Sequence, residues 1–225
     1  MIINNFNDFT KALLRTGFSV GGPNSEGIFS LCSSFGEGVQ WHTNDLDTDP
    51  WEWRIRVLDE RNDIAYSKLF FRKSGYITKD WYPYFLAVRR QGNSFDDAYL
   101  SGTVSHYAKR VYEVIRQEGA LPLHLIKRLG EFSKEDNSRF EGALVELQMK
   151  MFLTMCGRAR KTSWGGSEYG WPSTVFCITE DFFGKDVFKK AATISKQDAF
   201  NKIAQHIHRL NPDAEDKKIY KFING

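Results

Sequence analysis

The 225-residue sequence lacks most of the features that announce a reaction. It has only three cysteines, Cys32, Cys156 and Cys177, and no C-x-x-C pair, which argues against a zinc ribbon and a thioredoxin-type redox site. Cys156 and Cys177 lie in apolar runs and read as buried thiols in a reduced compartment. There is no G-x-S-x-G element, no P-loop and no dinucleotide fingerprint, so neither a cofactor nor a metal is expected. No apolar stretch approaches bilayer-spanning length, and the opening MIINNFNDF has no basic region leading into an apolar one. Membrane and secretion signal are thus not expected, and the cytoplasm is the expected compartment. An excess of charge of one sign is lacking too. A net charge of +3 permits contact with a polyanion without demanding it.

What the chain does have is aromatic residues, 15% of the total. So many rings imply an aromatic core or an aromatic-lined pocket. Apolar spacing predicts a helix from Asn7 to Arg15, stopped by Gly17. The Gly- and Ser-rich stretch from Gly21 to Gly38 reads as loop, with at most one strand around Ile28 to Leu31. Asp49-Pro50 reads as an N-cap and first helical residue, opening a helix to Glu60. Ile64 to Phe71 is strand or helix, and Trp81 to Arg90 is a helix with Pro83 in its first turn. Gln91 to Phe95 is the best boundary.

Beyond it, one helix holds Tyr107, Val111, Val114 and Ile115 and ends at Gly119. A second opens at Leu121-Pro122 and closes at Gly130, and a third, capped by Ser133 or Asp136, buries Phe140, Ala143, Leu144 and Leu147. Strands at Met151–Cys156 and Ser173–Thr179 flank a basic, glycine-rich stretch. Three helices and a hairpin predict a winged helix between Val104 and Phe183. The fold class is α+β, a winged-helix domain packed on a smaller mixed α/β N-terminal region. Residues 1–92 form the aromatic-rich α/β region, 93–184 the winged helix and 185–225 C-terminal helices, of which Val187 to Leu210 is one or two and the residues past Pro212 a charged tail.

Two stretches carry a family resemblance. One is Ala65 to Phe85, AYSKLFFRKSGYITKDWYPYF; the other is Val111 to Gly130, with its Gly-Ala-Leu-Pro turn, continuing to Ala143, Leu144 and Leu147. Together they resemble the AlkZ-like winged-helix proteins, whose studied members are bacterial DNA glycosylases that unhook crosslinked or alkylated purines. The resemblance implies packed winged helices and DNA as ligand. Those glycosylases carry Gln-x-Gln or Gln-x-Asp soon after the first helix to position the attacking water. The matching place here reads Ser19-Val20-Gly21-Gly22, and Gln148-Met149-Lys150 comes far later and ends in lysine. The resemblance therefore carries over the scaffold and DNA binding rather than the glycosylase chemistry.

The residues themselves offer several candidate sites. Arg158, Arg160 and Lys161, with Trp164 near the tip, form a basic loop able to lie along phosphates and wedge an aromatic, or simply a solvated hairpin. The third helix should present Asn137, Ser138, Arg139, Glu141, Val145 and Glu146 outward; its glutamates would be repelled by phosphate, leaving Arg139 and Asn137 for base edges. A second function class remains open, a small-molecule-binding protein or enzyme using an aromatic pocket in the N-terminal half. The aromatic cluster Trp41, Trp51, Trp53, Tyr76, Trp81, Tyr82 and Tyr84, interleaved with basic residues, could form a stacking pocket. The candidate residues are Trp41, His42, Asp45, Trp53, Arg54 and Tyr82, and the alternative is that these rings pack a core. His42 with Asp45, Asp47 and Asp49 has the D-x-D-x-D spacing of a calcium loop, but Pro50 and Arg56 stand where that loop needs glycine and glutamate; an acidic helix N-terminus is the preferred reading. Trp171-Pro172 is expected to anchor the return strand. Oligomeric state is not legible.

Overall fold

The computed structural model describes residues 2–23, 26–162 and 165–225, with Thr162 described in its backbone alone. Among these the chain forms eleven α-helices and one antiparallel sheet of six strands, a mixed α+β fold. The first helix, α1 (Phe6–Thr16), is capped by the Asn5 side chain and stopped by Gly17 at φ +83°, a conformation that favours glycine. Strand β1 (Phe18–Val20) follows directly, so the strand of this region precedes the glycine-rich stretch rather than lying at Ile28 to Leu31. Next come α2 (Pro50–Glu60), β2 (Ile64–Phe70) and β3 (Lys73–Thr78). Helix α3 (Tyr82–Arg89) and a short α4 (Phe95–Leu100) with a Ser94/Asp97 capping box lead into α5 (His106–Glu118).

Leu121-Pro122 was expected to open a helix. It instead forms a two-residue strand, β4, paired with the return strand of the later hairpin, and α6 (Leu123–Leu129) starts after it. Pro122 has no amide hydrogen, so it can end a strand and enter a helix without losing a donor. Helix α7 (Asn137–Met149) follows, then the long hairpin of β5 (Leu153–Thr162) and β6 (Glu168–Ile178). Four helices close the chain: α8 (Thr179–Phe183), α9 (Lys185–Ala192), α10 (Lys196–Leu210) and α11 (Asp216–Asn224). The expected charged tail is thus α11, whose Ile219, Phe222 and Ile223 are buried. Lysines at its other positions hid that apolar face, since 216–224 reads DKKIYKFIN.

The strand order is β1-β3-β2-β5-β6-β4. One sheet therefore runs from the amino-terminal strands into the hairpin, joined where Tyr66 of β2 pairs with Met155 of β5. Both faces of β2 and β3 are covered. Ala65 and Ile77 point into a cluster with α3, α10 and α11, while their register neighbours Tyr66 and Tyr76 point into a cluster with α1, α2, α5 and α7. Polar ties cross between these layers. Gln148 of α7 is buried, accepts from Ser67 Oγ (2.8 Å) and the Lys68 amide (3.0 Å) of β2, and donates to Leu144 O. Arg89 of α3 donates to four carbonyls: Leu69 in β2, Met149 in α7, and Phe222 and Ile223 in α11. Each of these closes an end that would otherwise leave carbonyls unpaired.

Candidate nucleic-acid interface and aromatic cavity

Beyond its pairing with β2 at Met155 and with β4 at Val175, the β5–β6 hairpin continues as a two-stranded ribbon, roughly 20 Å long at strand rise. Two irregularities shape it. Cys156 is an extra residue between the Met155–Phe176 and Gly157–Val175 pairs. Further out, the register passes from Ala159–Ser173 to Lys161–Tyr169, so Gly170, Trp171 and Pro172 face Arg160 alone. Gly170 takes φ +75° and Pro172 has no amide to pair, and between them Trp171 is thrown into solvent, 93% exposed. This overturns the expectation that Trp171-Pro172 anchors the strand. The sequence did hold the signal, a glycine and a proline flanking an aromatic inside a strand.

Arg158, Arg160 and Lys161 are exposed along β5, as expected of the basic loop. Arg158 lies 4.0 Å from Glu52 of α2, while Arg160 and Lys161 have no acidic partner among the described residues. Trp164, the predicted tip aromatic, lies outside the described residues. A groove of about 680 Å³ between α2 and the ribbon is lined by Trp51, Glu52, Arg54, Arg158, Arg160 and Trp171. On the opposite side, Arg160 and Lys161 line a second groove of about 590 Å³ with His124, Arg128 and Tyr169. His124 Nδ1 lies 3.0 Å from Ser173 Oγ, and burial together with Lys161 and Arg128 keeps its pKa below the ordinary histidine value. Arg128, Tyr169 and Trp171 were not anticipated as members of this face.

Helix α7 offers less. Arg139 is exposed but donates to the Tyr107 hydroxyl at 3.0 Å, which in turn donates to Asp136 at 2.8 Å. Asn137 pairs with Lys127, and Glu146 accepts from the Ser105 amide and hydroxyl at the start of α5. Val145, expected outward, is buried, because α7 packs on both α5 and β2 and so hides a wider arc than one stripe.

The aromatic half holds a cavity of about 500 Å³. Of the candidate pocket residues it gathers Trp41, His42 and Arg54. Trp53 and Tyr82 are fully buried elsewhere, Trp53 against Phe9 and Phe35 and Tyr82 against Phe183 on the opposite face of the sheet. Asp45 is exposed in the rim loop, where its carboxylate accepts from the Asp47 and Thr48 amides. The loop itself hangs on Asp49, which caps α2 through the Trp51 amide and accepts from the His42, Thr43 and Asn44 amides at 2.8–3.1 Å. Burial alone would raise this carboxyl, but the four amides outweigh it and hold its pKa below the usual carboxylate range. Among the described residues no group of three or more His, Cys, Asp or Glu could hold a metal.

The floor and walls of the cavity come from Trp51 and Tyr76, both members of the aromatic cluster expected to form a pocket, and from Tyr66, Phe70 and Phe71, which the sequence did not single out as pocket residues. Glu26 at its edge takes hydrogen bonds from Lys73 (3.0 Å) and Lys218 (3.2 Å), which hold its pKa low. Val20, Gly21 and Gly22 also line it, so the stretch matching the glycosylase element borders this cavity. Its one polar side chain, Ser19, is buried; its hydroxyl donates to Val20 O and accepts from the Leu31 amide. Finally, no helix among the described residues is long and apolar enough to cross a membrane. A family model described as AlkZ related matches residues 3–224 of the chain. No curated protein and no solved structure matches it.

Proposed function

The chain belongs to the AlkZ-related family, and from that premise we propose that it binds DNA through the β5–β6 ribbon, as a winged-helix protein without glycosylase chemistry. The order α5, β4, α6, α7, β5, β6, with β4 joining β6, supports the winged-helix reading, with the ribbon as wing and residues 93–184 as its extent. The observation that carries the proposal is the company Trp171 keeps. An indole so exposed is costly in water, and this one stands beside Arg160 and Lys161, cations with no acidic partner among the described residues. Cations that neutralise phosphate and an aromatic that stacks or wedges are the two elements a duplex or its distortions require. Helix α7 serves as packing, since Gln148 and Glu146 bind other elements and Arg139 is held by Tyr107. The absence of a free polar side chain in Ser19 to Gly22 argues against water activation there, because a base or positioning group must reach the water it directs.

The test is anisotropy of a labelled duplex at two salt concentrations. The double variant Arg160→Glu/Lys161→Glu should weaken binding and reduce the salt slope by roughly 2, one unit per lost phosphate contact. Trp171→Ala should cost about 1–3 kcal/mol with the salt slope unchanged. Salt-independent or absent binding by the unaltered chain, or a charge-reversed ribbon that binds as before, defeats the proposal.

A further inference from the structure

The aromatic cavity has chemistry that ribbon binding does not use. Tyr66 and Tyr76 face each other across β2 and β3 with ring centroids 4.8 Å apart, and both line the cavity. They are only 7% and 4% exposed, yet neither hydroxyl has a hydrogen-bond partner among the described residues. Neither oxygen is sealed off from solvent, so both can meet a ligand in the cavity. Above them Arg54 lies flat on the Trp51 ring, its guanidinium carbon 3.3 Å from the ring centroid. Its Nε donates to Trp51 O at 2.8 Å, which fixes the plane and leaves both Nη groups without a partner among the described residues. The site thus offers three donor groups. The carboxylate at the edge, Glu26, is already spanned by Lys73 and Lys218 and is not free to accept a ligand cation.

We propose that this cavity binds a flat aromatic acid, its ring against the Trp51, Tyr66 and Phe71 side chains and its carboxylate on Arg54 and the Tyr66 and Tyr76 hydroxyls. A guanidinium beside two phenol hydroxyls able to donate favours an anion, and aromatic walls favour a ring. A guanidinium stacked on an indole has lost water from its faces and binds an oxyanion through its edge more strongly than a solvated lysine does. The volume of about 500 Å³ lies within the range of small-ligand sites. Burial raises the Tyr76 phenol well above its ordinary pKa, so it stays protonated and able to donate at neutral pH. The proposal is independent of DNA binding.

Calorimetric titration of the full chain with cinnamate and, separately, with cinnamyl alcohol tests it. The two probes share a ring and differ in the carboxylate. Cinnamate should bind at least roughly tenfold more tightly than the alcohol. Arg54→Gln and the double variant Tyr66→Phe/Tyr76→Phe, which keeps both rings, should each weaken cinnamate by roughly fivefold or more. Equal affinity for the two probes, no heat from cinnamate, or full affinity in both variants overturns the proposal. The contrast between probes on the unaltered chain decides the matter even if a variant fails to fold.

Discussion

His206 carries its proton on Nε2, because that nitrogen lies 2.7 Å from the Thr16 carbonyl oxygen, which can only accept. Its ring stacks on Trp81 with centroids 4.2 Å apart, and Nδ1 is buried without a partner among the described residues. Burial, aided by Arg209 and Lys202, keeps its pKa below the ordinary value of 6.5 despite the Thr16 carbonyl. A second proton would place an unpaired charge inside the α10–α3 contact. The sign follows: with the folded pKa depressed, the stability is present above pH 6.5 and is lost as pH falls through the folded value. Urea unfolding midpoints should therefore drop between pH 7 and pH 5, and His206→Gln should flatten that drop; equal slopes refute it. At this scale the sequence was legible where chemistry is local. Asp49 reads as a cap and the ribbon cations as a basic loop. Trp53 and Tyr82 could not be told from Trp51 and Tyr66 by residue type, because which rings an element buries is set by what that element packs against.

Among the elements, the amphipathic helices α1, α2, α5 and α10 could be read from spacing and caps, since each has one wet face. Strands β2 and β3 could not. They are covered on both faces, so IAYSKLF carries no alternation, and their connection is Phe71-Arg72 with φ +51° and +62°. Two-residue turns with both central residues left-handed usually hold Asn or Gly, so nothing in the sequence marks a hairpin there. Phe71 is retained at a cost because its ring packs near Phe222 and lines the aromatic cavity. Arg72 is exposed, with no comparable contact. Arg72→Gly should accordingly stabilise the protein by about 0.5–1 kcal/mol in chemical denaturation, relieving left-handed strain at a small entropic loss; a destabilised variant would show that the turn is not strained.

For the whole molecule the decisive residue is Arg89, whose single guanidinium holds β2, α7 and α11 together. Arg89→Met keeps the packing length and leaves four carbonyls unsatisfied, which should cost about 3 kcal/mol or more in denaturant unfolding. A loss below about 1 kcal/mol would mean that water replaces the guanidinium freely. These links were not legible because they join residues far apart, such as Arg89 with Ile223 and Ser67 with Gln148, and no local pattern encodes a distant carbonyl. The same holds for the sheet that runs across residue 92, the stretches 1–92, 93–184 and 185–225 sharing its two faces.

The sheet order has a consequence for how molecules meet one another in a crowded solution. Its outermost strands, β1 and β4, are three and two residues long, too short to template another chain's strand. The long unpaired flanks belong to the ribbon alone, where the Gly170–Pro172 bulge breaks the register and Arg158, Arg160 and Lys161 would set like charge against like in any second copy. The cations proposed to meet phosphate would thus also oppose one ribbon zipping onto the next.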